Sequence, residues 1–313
     1  LAAAATFWIA ETIFPYHSVN DDEGVYLTQA AMLLEGQLSL FPGGLADAVR
    51  PWFFVEDGTR LYPKYTPVPA AMFAVSMALF GEPRVTLALV AAANAALIYA
   101  LGTLAFDRRV GVVAAAVFAA APMTLLTSSV FLPYAPTTTW NLLFAVCYLK
   151  ALRNGSRPWA VGAGLGAGLA FLARPYPAVL FAAPFIAHAL WQIGVAVRDR
   201  GLKQTITQAL PNAVDPRAVP PRRDAVVRNA VTATIGLAFV GITLAYNARL
   251  TGDPLVFPYQ AFAPMDGPGF GRRRILNHSI VYTPEIAIEA NARVLWQLAT
   301  RWFTLGIVGT AAA

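Results

Sequence analysis

Val68-Pro69-Ala70-Ala71-Met72-Phe73-Ala74-Val75-Ser76-Met77-Ala78-Leu79-Phe80 is an apolar run of 13 residues, and the topology of the whole chain turns on it. A membrane-spanning helix needs about 20 apolar residues, with a lower limit of about 17. If the run does not span, the basic clusters share one side with the N-terminus: Arg108 and Arg109; Lys150, Arg153 and Arg157; and Arg198 through Arg228. If it spans, nearly all of them move to the opposite side. The first arrangement obeys the positive-inside rule and the second inverts it. Residues 68–80 are therefore expected to form an in-plane or re-entrant helix. Residues 15–83 then become one long extracytoplasmic loop.

Composition sets the class around this pivot. The chain has 313 residues, 57% hydrophobic and 13% charged, with a mean hydropathy of +0.54. Soluble domains carry about 25% charged residues. The expected fold class is an all-α polytopic integral membrane protein. Apolar runs fall near residues 84–106, 109–127, 136–151, 158–173, 175–196, 229–248 and 292–313, after a first run from Leu1 to about Phe14. The first run reads as a clipped signal-anchor helix, and the whole chain as one transmembrane domain cut at both ends. The formal charge of +6 is spread over short connections between apolar runs, so it follows the positive-inside bias and gives no sign of a nucleic-acid partner. Residues 197–228, rich in proline and charge, read as a cytoplasmic loop. The single cysteine, Cys147, precludes an internal disulfide, and nothing resembles a zinc site. A divalent metal held by His17, His278 and carboxylates is left open.

The long loop holds most of the candidate chemistry. Asp21, Asp22 and Glu23 stand where the first apolar run leaves the bilayer. Charge so close to hydrocarbon is costly unless it is solvated or functional. These residues are also good helix caps, and the two roles can coexist. Tyr26, Ala30, Leu33 and Leu34 share one helical face, which suits an amphipathic helix on the bilayer surface ended by Gly36. Trp52 to Tyr62 reads as a β-hairpin turned at Asp57-Gly58. Its second strand carries Arg60 and delivers Lys64 and Tyr65 back toward the membrane. Lys64 is either a snorkelling interfacial lysine or a ligand for an anionic substrate. Arg174, at the outer end of a span, has the same two readings. Gly162, Gly164, Gly166 and Gly168 lie within an apolar helix and read as close helix packing, not as a nucleotide loop. Gly267 to Arg274 reads as a turn-rich external loop.

The order of these motifs carries a resemblance. Asp22-Glu23-x-x-Tyr26 opens an interfacial helix, Lys64-Tyr65-Thr66-Pro67 follows a hairpin, and an in-plane apolar helix precedes closely spaced spans. Gly164 to Pro175, and Tyr246-Asn247 with Thr251 to Leu255, add to it. The pattern resembles the GT-C membrane glycosyltransferases, nearest the protein O-mannosyltransferase-like group (family 39) and the lipid A aminoarabinose transferases. The resemblance implies a polyprenyl-phosphate-linked sugar donor, an acceptor hydroxyl on a protein, lipid or glycan, and an active site on the extracytoplasmic face of the cell membrane. Asp22 would act on the acceptor, with Glu23 and Asp21 beside it. Lys64 and Arg174 would meet the lipid phosphate, and Tyr26, Tyr65 and Arg60 would line the site. Many relatives carry an Asp-Pro pair in the next external loop. Here that loop, Ser128 to Pro136, holds no carboxylate, which points to a more distant subgroup. A polytopic transporter or flippase is the rival class. It would show repeated halves and broken midplane helices, and neither is clear in this chain.

Overall fold

The computed structural model describes residues 1–18, 20–58, 60–200 and 223–302. It is mostly helical and divides into two compact units, one formed by Leu1–Ala95, Val113–Ala135 and Thr243–Ala313, the other by Ala96–Val112 and Pro136–Ile242. Among the described residues, three helices are long and apolar enough to cross a membrane: Arg84–Ala105, Pro175–Ala196 and Ala225–Thr251.

The first unit opens with helix α1 (Ala2–Thr12) and helix α2 (Asp22–Leu34). Asn20 Oδ1 accepts from Asp22 N at 3.0 Å, and Asp22 and Glu23 occupy the first turn, where negative charge favours the helix dipole. Gly36 ends the run at φ +70°, a conformation that glycine adopts without steric cost. The short helix α3 (Ala46–Val49) leads into strand β1 (Phe54–Asp57), which pairs antiparallel with β2 (Arg60–Pro63), Asp57 opposite Arg60. Gly58 lies at φ +61° in the turn, but Asp57, expected beside it in the turn, belongs to β1 and pairs with Arg60, so the turn falls one residue later than expected; Thr59 lies outside the described residues.

Helix α4 (Val68–Phe80) is the pivotal 13-residue run, started by Pro67 and Pro69 and stopped by Gly81 at φ +68°. It packs on α2: Tyr26 and Ala30 meet Ala70, Phe73 and Ala74 in one buried cluster with Ala10, Leu87 and Phe131. Val25 and Met32, on the other side of α2, join Phe54 and Leu61 of the hairpin. The face of α2 assigned to the bilayer is thus corrected. Tyr26 and Ala30 are buried inside the protein, and only Leu34 of the four is largely exposed.

Helices α5 (Arg84–Ala105), α6 (Arg108–Ala120) and α7 (Pro122–Ser128) follow. The expected single span at 109–127 is two helices bent by 63°. The break falls at Ala121, extended at ψ 128°, as expected for a residue forced out of the helical region by the proline after it.

The second unit is built around helices α8 (Tyr134–Asn154), α9 (Arg157–Ala173) and α10 (Pro175–Arg200), with the first part of α11 (Arg223–Thr251). The glycines of α9 sit at close contacts. A Cβ on Gly166 would lie 2.6 Å from the backbone nitrogen of Phe144, one on Gly164 2.9 Å from the Thr232 carbonyl oxygen, and one on Gly168 would run into the Phe239 ring. The central part of the expected cytoplasmic loop, 201–222, lies outside the described residues.

The chain continues in the first unit with helix α12 (Pro258–Phe262), a second hairpin of β3 (Gly271–Ile275) and β4 (His278–Tyr282), and helix α13 (Pro284–Gln297). The segment expected as an irregular loop, Gly267 to Arg274, therefore supplies a strand. Nothing local in its sequence beyond glycine and arginine signalled the pairing. The final apolar run is described only as far as residue 302.

Gly166 gives a direct test of the packing. Gly166→Ala places a methyl group against backbone that cannot rotate away, and overpacking of this kind costs about 1–3 kcal/mol. Gly236→Ala, on α11, puts its methyl group in open space with no heavy atom within 4 Å. That variant should be neutral or slightly stabilising, because alanine is the better helix former by roughly 1 kcal/mol. The thermal midpoints of the purified variants decide it, and equal midpoints would remove the close-packing role of Gly166.

Candidate active site

Three consecutive carboxylates enter α2, and the helix sends them to different places. Asp21 precedes the first turn and is exposed, with no capping hydrogen bond from its side chain. Asn20 does the capping instead. Glu23 is 0% exposed. Its Oε1 accepts from Ser18 N at 2.8 Å and from the Ser18 hydroxyl, and its Oε2 accepts from Phe131 N at 2.8 Å. Glu23 therefore ties the loop before α2 to the loop after α7, the same loop that lacks a carboxylate of its own. Asp22 lies between these extremes, with its side chain 28% exposed and Oδ1 3.0 Å from Lys64 Nζ.

Lys64 is the most enclosed cation of the site. Its side chain is 3% exposed. The ammonium lies 3.6 Å from the centre of the Phe53 ring, 4.8 Å from Tyr65, 4.9 Å from Phe262 and 5.8 Å from Tyr259. Aromatic faces attract cations, more strongly when water is excluded. Burial pulls the Lys64 ammonium below its ordinary pKa, and the carboxylate of Asp22 opposes that pull. A snorkelling lysine keeps its charged head in water, and this one does not.

Tyr65 stacks on Tyr26 at 4.7 Å with nearly parallel rings, and more loosely on Tyr259. Burial first, then the neighbouring Tyr26 and Asp22, raise the Tyr65 hydroxyl well above its ordinary pKa, so it stays protonated. The Tyr65 carbonyl oxygen accepts from Gln29 Nε2 at 3.1 Å and from the Tyr246 hydroxyl at 3.0 Å. These bonds hold the residue next to Lys64 against α2 and α11. Tyr259 in turn donates to Asp266 at 2.5 Å.

The other two cations expected at the site are placed differently. Arg60 bonds Asp57 Oδ2 at 2.8 Å and donates to the carbonyls of Arg249 and Leu250. It satisfies the end of α11, as basic side chains do at helix C-termini. Arg174 belongs to the second unit, at an extended break between α9 and α10. Phe53, Tyr259, Phe262 and Gln29 were not singled out by sequence reasoning. Phe53 could have been found as the residue entering the predicted hairpin, but Tyr259 and Phe262 come from a distant helix with no local signal. Among the described residues no group of three or more His, Cys, Asp or Glu side chains converges.

Residues 64–213, a little under half of the chain, match the family model for dolichyl-phosphate-mannose-protein mannosyltransferases. No curated protein and no solved structure matches the chain. The matched stretch begins at Lys64 and supports a GT-C membrane glycosyltransferase that uses a lipid-linked sugar donor.

Glu23 separates architecture from chemistry. Glu23→Gln keeps the shape but turns an acceptor toward a donor, either at Phe131 N or at Ser18. Leaving a buried donor unsatisfied costs about 1–3 kcal/mol, and denaturant unfolding of the variant should show that loss. Unchanged stability would mean that the clamp contributes nothing to the fold.

Proposed function

We propose, from the premise of a GT-C membrane glycosyltransferase with a lipid-linked sugar donor, that the chain transfers a sugar from a polyprenyl phosphate to an acceptor hydroxyl, with Asp22 as general base. The single observation that carries this reading is the Asp22–Lys64 pair. Asp22 is reachable from solvent and unused by the helix cap, while the cation beside it is sealed among aromatic rings.

The geometry gives the reaction an electrostatic sequence. The acceptor hydroxyl passes its proton to Asp22 as its oxygen attacks the anomeric carbon. The bond from that carbon to the phosphate oxygen breaks, and its electron pair leaves with the lipid phosphate. Asp22 loses its negative charge as it takes the proton. The Lys64 ammonium is then uncompensated while charge grows on the leaving phosphate, and a preorganised cation in a dry site is worth most at that moment. A single displacement inverts the anomeric centre. Asp21, exposed, and Glu23, consumed by structural bonds, are left outside the proton transfer. Arg174 is the second candidate for the phosphate, on the family resemblance alone. The positive-inside bias supports an extracytoplasmic site.

Asp22→Asn tests the base. Asparagine cannot accept the proton, and general-base contributions are typically 10²–10⁴-fold, so transfer should fall by about that factor in protein that remains folded at the assay temperature. Asp21→Asn should retain activity. A folded, fully active Asp22→Asn would end the proposal.

The side of the membrane has its own test. A cysteine at exposed Leu45 should label with an impermeant thiol reagent in intact cells, and one at Ser156 should not. The opposite pattern would place the site on the cytoplasmic face.

A further inference from the structure

A cavity of about 770 Å³ lies within the first unit, lined by the β1–β2 hairpin, the chain before it, and the end of α12. Its walls combine the aromatic rings of Trp52, Phe53 and Phe262 with the charged groups of Asp47, Arg50 and Glu56. Phe53 and Phe262 also enclose Lys64, so the cavity shares two rings with the candidate active site. We propose that this cavity is the acceptor subsite and that it takes a neutral carbohydrate, so that the acceptor is a glycan. This rests on the glycosyl-transfer reading above.

The chemistry of the lining selects the ligand. Aromatic faces carry partial negative charge and suit the C–H-bearing faces of a sugar ring. Hydroxyls around the ring need both acceptors and donors, which Asp47, Glu56 and Arg50 provide. Arg50 and Glu56 are already paired at 2.7 Å, each partly exposed, so both remain within reach of a ligand. Two carboxylates against one guanidinium disfavour an anionic ligand such as the donor phosphate. The volume falls within the roughly 300–1,000 Å³ of small-molecule sites and accommodates a short oligosaccharide.

Backbone conformation adds a separate observation. Among the described residues, the two non-glycine positions with positive φ are Phe53 at 58° and Leu276 at 50°, and both line this cavity. Leu276 sits in the β3–β4 turn, where positive φ is ordinary. Phe53 is the third residue of the Pro51–Phe54 turn, closed by Phe54 N donating to the Pro51 carbonyl at 3.3 Å; glycine or asparagine is usual at that position, and a bulky ring held there is the kind of conformation that clusters at binding and catalytic sites. Its conformation places the ring edge-on to both Trp52 and Phe262, 6.0 and 5.7 Å between centres. Trp52 itself is 70% exposed, so its large apolar ring is available to a ligand.

The test uses the whole chain in phospholipid nanodiscs, free of sugar-headed detergents that would occupy the site. Saturation-transfer NMR with mannotriose and with arabinotriose, in the absence of donor, measures binding directly. At least one should bind, and Trp52→Ala should weaken it roughly tenfold, the effect of losing about 1.4 kcal/mol of ring stacking. Glu56→Gln, which preserves size, should weaken it as well, while Trp296→Ala should not. No binding by either sugar, or binding indifferent to Trp52 and Glu56, overturns the proposal. Quenching of Trp52 by brominated lipid without sugar binding overturns it too, in favour of a membrane anchor. Asp22→Asn should still bind sugar. Sugar binding without any transfer by the parent protein retires the glycosyl-transfer reading, whereas transfer without sugar binding retires this subsite.

Discussion

A lysine ammonium buried among four aromatic rings and one carboxylate is the constraint around which the first unit is arranged. An unpaired buried cation is unfavourable enough to lose its proton or rearrange its surroundings. The chain meets that demand from four separate places: Asp22 at the start of α2, Phe53 ahead of the hairpin, Tyr65 beside Lys64, and Tyr259 with Phe262 from α12. Each must arrive with the right side chain turned inward, so the cage fixes how the hairpin, α2 and α12 meet. Gln29 and Tyr246 complete the arrangement from below by holding the Tyr65 carbonyl.

The divergence of Asp22 and Glu23 follows from helix geometry. With 3.6 residues per turn, neighbours on a helix point about 100° apart. α2 is gripped on one side by α4 and on another by the hairpin. At its first turn one carboxylate is therefore driven into the protein, and the next keeps partial access to water. Glu23 meets two backbone N–H groups and a hydroxyl there, which makes a buried charge tolerable. Asp22 meets a cation and remains reachable. Two adjacent carboxylates are thus divided into one enclosed by backbone hydrogen bonds and one that keeps access to water, without any difference in residue class.

How much of this was legible follows the reach of each signal. The hairpin was marked by Asp57-Gly58, the end of α2 by Gly36, and the short α4 by its length and flanking prolines, all local features. The α9 glycines were legible as packing positions because their spacing puts them on helix faces, although which atoms they meet was not. The surface assignment of α2 failed because an apolar face reads alike whether it meets lipid or another helix, and here α4 supplies the partner. The bend at Ala121-Pro122 was hidden inside a run of uniform hydropathy. In the site, Asp22, Lys64, Tyr65 and Tyr26 were legible through their order along the chain. Arg60 was read as a ligand because its charge was visible and the helix end it satisfies, some 190 residues later, was not. The aromatic wall from α12 was invisible for the same reason.

Enclosure of Lys64 also limits what it can do. A snorkelling or freely mobile lysine could follow a lipid phosphate as it enters, but one packed against Phe53 and Phe262 acts from a fixed point. Its influence on a leaving group must then come through a change in the charge around it, not through movement. In the proposed reaction Asp22 is the neighbour whose charge changes, because its side chain is partly open to solvent beside the buried ammonium. Base and cation are therefore coupled. Protonating one strengthens the field of the other, and the rings that exclude water keep that field from being screened. An exposed lysine in the same position would gain little from the proton reaching Asp22. The aromatic cage is thus as much a part of the proposed chemistry as the carboxylate it surrounds.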